Sequence, residues 1–80
     1  MPCHFEITRM ERYKASRIVA KLRAQRNVPT TAGILGISSF NVMAIERMTR
    51  RKTTAEGFWA SAAAIRKVLD FGKAIDAVIR

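Results

Sequence analysis

The chain has little of what builds covalent or metal-held structure. Its 80 residues include one cysteine, Cys3, so no intrachain disulfide can form, and a lone thiol points to a reducing, intracellular setting. The one histidine, His4, stands beside that cysteine. Neighbours in an extended segment point to opposite faces, which makes a poor nucleophile–base pair. Two such ligands also fall short of the four that a structural zinc site takes. The six carboxylates, Glu6, Glu11, Glu46, Glu56, Asp70 and Asp76, are scattered along the chain, and its four glycines form no phosphate-cradling loop. Asp70-Phe71-Gly72 spells a protein-kinase tripeptide, but no other kinase element accompanies it. No enzymatic activity, cofactor or metal is expected.

Long apolar runs are missing too. No stretch approaches the roughly 18 consecutive apolar residues of a membrane span. The N-terminus lacks the basic-then-apolar layout of a signal peptide. These absences predict a cytoplasmic protein with no membrane partner. Negative charge is the other scarcity: 15 Lys and Arg face 6 Asp and Glu, a formal charge of +9. The excess is polarised. Residues 1–52 carry 11 basic and 3 acidic side chains, and residues 53–80 carry 4 and 3. A one-sided basic field is the footprint of a polyanion binder.

What is present is helical patterning, in a length that suits one domain over residues 1–80 with a small core. The most informative stretch is residues 28–47, VPTTAGILGISSFNVMAIER. Ala32, Leu35, Ile37, Val42 and Ile45 fall where two short helices crossing steeply bury side chains against each other. Ala32 is small enough for close approach. Gly36 can take the left-handed backbone conformation that ends a helix without a Cβ penalty. Ser38 and Ser39 are candidate caps for a helix from about Phe40. This is the pattern of a helix-turn-helix.

The same residues carry a family resemblance. Ala32, Leu35, Gly36, Ile37, Ser38, Val42 and Ile45, followed by Glu46-Arg47, resemble the Cro and phage-repressor (XRE-like) DNA-binding domains. The resemblance covers residues 28–47. It implies a small sequence-specific transcriptional regulator of phage, plasmid or bacterial type, with the second motif helix in the major groove of double-stranded DNA. It places Ser39, Phe40, Met43, Ala44 and Arg47 toward base edges. It places Thr30, Ser38, Arg50, Arg51 and Lys52 at phosphates, where Arg side chains grip well. One departure matters: family members present Gln, Arg, Asn, Ser or Lys along that helix face, and here Phe40 and Met43 stand there. Apolar side chains cannot make the paired hydrogen bonds that discriminate G or A. They suit a thymine methyl, a wedge against DNA, or a protein surface. The competing reading is therefore a non-enzymatic protein-interaction module on the same scaffold, such as a small phage-encoded inhibitor of a host protein.

The flanks complete an all-α, five-helix reading. Residues 3–7 alternate apolar and polar, as a short strand or an extended arm would. Thr8 and Glu11 form a capping-box pair opening a first helix that runs to Arg26, with Ala15, Ile18, Val19 and Leu22 as its core stripe. Asn27 to Thr30 form the break, with Pro29 in the next helix's first turn. Thr53-Thr54-Ala55-Glu56 repeats the capping box and opens a fourth helix. Its stripe is Phe58, Ala62, Ile65 and Leu69, flanked by Trp59 and Val68, and Gly72 is read as its end. Lys73–Arg80 then forms a fifth helix. Its Ile75, Val78 and Ile79 need cover, which predicts a homodimer through this segment.

Overall fold

The computed structural model describes residues 7–50 and 60–79. Four helices form there, α1 (Arg9–Arg23), α2 (Val28–Leu35), α3 (Ser39–Arg50) and α4 (Ala62–Ile79), and no strand occurs among the described residues. The all-α expectation holds. The expected arm at residues 3–6, the capping box at Thr53–Glu56 and the aromatic pair Phe58 and Trp59 lie outside the described residues. Ile7 is buried against the helices and is not part of a strand.

α1 begins where its cap dictates. The Thr8 hydroxyl accepts from the Glu11 N–H at 3.1 Å, and the Glu11 carboxylate accepts from the Thr8 N–H at 2.9 Å. Two orphan donors of the first turn are thereby satisfied reciprocally. The backbone N–H of Thr8, with lesser help from Arg66, holds the Glu11 carboxyl below its ordinary pKa. The helix stops at Arg23, short of the expected Arg26, where the chain tightens into a turn: the Gln25 N–H donates to the Leu22 carbonyl at 3.3 Å, and the Arg23 guanidinium donates to the Arg26 carbonyl at 2.8 Å.

α1 is the hub. Its inward arc of Ala15, Ser16 and Val19 is fully buried. Ser16 is polar yet satisfied, its hydroxyl donating to the Ile45 carbonyl of α3 at 3.0 Å. Arg23 pairs with Glu46 at 3.1 Å on the α3 side, and Glu11 pairs with Arg66 at 3.2 Å on the α4 side. The core between the helices joins Ala15 and Val19 of α1 to Leu35, Val42, Ile45, Ile65 and Val68. Val68 was expected at the flank of its stripe but is completely buried.

The expected break at Gly72 does not occur. α4 is one helix of 18 residues, and Lys73 onward continues it rather than forming a fifth. Glycine often ends a helix, but among the described residues only Gly36 takes a positive φ. Gly72 serves helix packing instead: a Cβ there would lie 2.6 Å from Ile18 Cδ1 on α1. Ile18 thus fills the space that a side chain at 72 would need.

This contact has a measurable consequence. Gly72→Ala should gain about 0.8–1 kcal/mol of helix propensity. It should lose a similar amount, about 0.5–1.5 kcal/mol, as Ile18 is forced off its rotamer. The net change in chemical denaturation should be close to zero. In an Ile18→Val background the clashing methyl is gone, so the same substitution should become stabilising by nearly the full propensity gain. Equal effects in both backgrounds would contradict the contact.

Candidate nucleic-acid interface

α2 and α3 are joined by a three-residue turn, residues 36–38, and their axes bend by 99°. Each end of the turn is set by a specific residue. Asn27 caps α2, its side-chain oxygen accepting from the Thr30 N–H at 2.9 Å, and Pro29 stands in the first turn where no N–H is needed. Gly36 closes α2 at φ 73°, ψ 32°, in the left-handed region. The N–H groups of Gly36 and Ile37 both donate to the Ala32 carbonyl, at 2.8 and 3.1 Å. Ser38 then caps α3, its hydroxyl accepting from the Asn41 N–H at 3.1 Å. Ala32 is buried at the crossing, with Leu35, Val42 and Ile45 closing the seam.

α4 braces the turn from a distance in sequence. The Asn41 side-chain oxygen accepts from the Ser61 N–H at 3.0 Å, while the Ser61 hydroxyl caps α4 through the Ala64 N–H at 3.1 Å. One turn further on, Lys67 donates to the Gly36 carbonyl at 3.2 Å. The turn carbonyl is therefore satisfied by a cation. These rungs were missed in the sequence, because neither Asn41 nor Lys67 belongs to any local motif with its partner.

The outward face of α3 is a single stripe. Ser39, Met43 and Arg47 recur every four residues, with Phe40 beside them, and all four are exposed. Phe40 is 51% and Met43 48% exposed, large values for such apolar side chains. Ala44 does not join them. At 3% exposure it belongs to the core cluster and cannot reach a base edge. The reason is rotational: Ala44 lies one residue past Met43 and is carried round toward the buried side, where its short side chain is covered completely.

The predicted phosphate residues divide. Thr30 is exposed in the first turn of α2, and Ser38 is exposed at the start of α3. Arg50 is the last residue of α3, while Arg51 and Lys52 lie outside the described residues. Of the predicted dimer residues, Ile75 and Val78 are exposed on α4 and Ile79 is its last residue. The electrostatics are one-signed. Among the described residues 12 basic side chains face four acidic ones, and two of the four, Glu11 and Glu46, are already paired with arginine. No single helix among the described residues is long and apolar enough to cross a membrane.

The arrangement offers an exposed helix face, an N-terminus rich in hydroxyls, and a surplus of cations. No protein-family model, curated protein or solved structure matches this chain.

Proposed function

We propose that this protein is a small DNA-binding transcriptional regulator of phage, plasmid or bacterial type, built on a Cro/repressor-like helix-turn-helix and acting as a homodimer. The observation that carries the reading is the α2–turn–α3 unit. Two short helices at 99°, joined through a left-handed glycine, project a stripe of exposed side chains from the second helix. α3 has 12 residues, about 18 Å of helix, and a major groove about 12 Å wide admits it.

In this reading Arg47 reads guanine from the groove, and Ser39 meets a base or phosphate at its start. Phe40 and Met43 press on thymine methyls, so the preferred site is rich in thymine at those steps. Thr30 and Ser38, at the starts of α2 and α3, and the Arg50-Arg51-Lys52 run fix the domain on phosphates without reading sequence. Sequence preference then comes from few contacts, and affinity mostly from charge.

One observation favours a second reading. Phe40 and Met43, three residues apart and each about half exposed, form an apolar spot of the kind that contacts proteins. A protein-interaction module would use that spot on the same scaffold.

Titrating a fluorescent duplex at several salt concentrations separates the two. Neutralising four to six phosphates per subunit predicts a log–log slope of about −4 to −5. A slope near zero, or no binding at low salt, would overturn the DNA reading and leave the protein partner.

A further inference from the structure

We infer that the outer face of α1 is a second phosphate-binding surface, separate from α3 and blind to base sequence. Lys14, Arg17 and Lys21 recur at spacings of three and four, so they share one stripe, and all three are exposed. None of them is within ion-pairing distance of a carboxylate among the described residues. The one acid of α1, Glu11, stands three residues before Lys14 at the head of this stripe, and its carboxylate is taken by Arg66 at 3.2 Å and by the Thr8 N–H at 2.9 Å. Tyr13 adds order: the Arg17 guanidinium lies 5.8 Å from its ring centroid, which holds a long side chain in a defined place. An elongated run of three cations over about 10 Å of helix, with no carboxylate partner among the described residues, is matched by a phosphate backbone, which carries a charge every ~1.7 Å of duplex axis.

The same geometry argues against a lipid surface as the occupant. A membrane-lying helix inserts its apolar face. Here that face is spent, because Ala15 and Val19 are buried and Ile18 and Leu22 pack against the core. Only Met10 and Tyr13 remain outward, at one end of the stripe. The surface is also distinct from α3, because α1 turns Ser16 and Arg23 toward α3 and the cationic stripe elsewhere. Contacts from this stripe would be the same on every sequence, lending affinity to α3 without altering its preference.

The inference rests on the DNA reading above and fails separately from it. If the wild-type protein does not bind duplex, the DNA reading falls first. If it does bind, the Lys14→Gln, Arg17→Gln, Lys21→Gln triple variant should keep its melting temperature, since all three side chains are exposed. Its log–log salt slope should become shallower by about 2 to 3, equally on every duplex tested. A charge-preserving Lys14→Arg, Lys21→Arg variant should keep the wild-type slope. An unchanged slope in the triple variant overturns the inference. So does an unchanged slope accompanied by lost binding to phosphatidylserine vesicles, which would assign the stripe to a membrane.

Discussion

Valine in place of Gly36 is expected to cost about 2–3 kcal/mol of folding stability, a large share of what a domain this size has. The cause is purely the backbone. A Cβ at this position meets nothing within 4 Å, so no neighbour is displaced. The residue instead has to hold φ 73°, where a β-branched side chain is a true outlier. The substitutions should therefore rank by tolerance of the left-handed region, with asparagine mildest, alanine next and valine worst. Gly33 supplies the control. It too has open space around an added Cβ but no positive φ, and it lies inside α2, so Gly33→Ala should be stabilising by about 0.5–1 kcal/mol. Urea denaturation reads all of these. Equal melting of Gly36→Val and wild type would mean that the turn is not where it is placed, and the case for α3 as a presented helix would go with it.

The turn was legible because its signals are local. Glycine after Leu35, serine two residues later, and apolar residues at Val42 and Ile45 each constrain only their own few neighbours. Backbone sterics and capping translate such signals directly into shape. The same holds for the Thr8–Glu11 box, whose two bonds lie within one turn. What escaped was long-range. Gly72 carries the same letter as Gly36, and nothing beside it says whether glycine is there to end a helix or to admit a neighbour. The answer is Ile18, on another helix. The burial of Ala44 is hidden in the sequence for a related reason. A single methyl is compatible with either side of an amphipathic helix, and burial depends on what packs over it. The rungs Arg23–Glu46 and Glu11–Arg66 span 23 and 55 residues, and charged side chains on helices give no hint of their partners.

These misses alter the site as well as the fold. On the proposed DNA reading, losing Ala44 would leave Ser39, Phe40, Met43 and Arg47 to contact bases, and of these only Arg47 could make a paired hydrogen bond to a guanine. So thin a readout fits a protein that gains affinity from charge and gains selectivity by doubling the site. Two copies reading half-sites about one helical turn apart square whatever discrimination one α3 achieves.

Where the copies would meet follows from the continuity of α4. Val68 is completely buried and Gly72 touches α1, but the same stripe runs on to Ile75, which is 40% exposed, and past it Val78 is 79% exposed. The helix continues beyond the neighbours that cover its first half, with apolar residues still on it. A second copy of the same surface would bury both. Charge does not oppose this, since residues 53–80 carry four basic against three acidic side chains. The wild type is thus expected to sediment as a dimer at about 50 μM, a modest affinity suited to a small interface. Ile75→Asp with Val78→Asp should give a monomer that remains folded, because neither side chain is fully enclosed within the subunit. Affinity for a two-half-site duplex should fall by about a hundredfold or more, the usual return on linking two sites, while affinity for a single half-site should hardly change. A wild type already monomeric at that concentration would rule out this interface. Unfolding of the double variant would instead place the end of α4 in the core, and the partner surface would have to be sought on α3, at Phe40 and Met43.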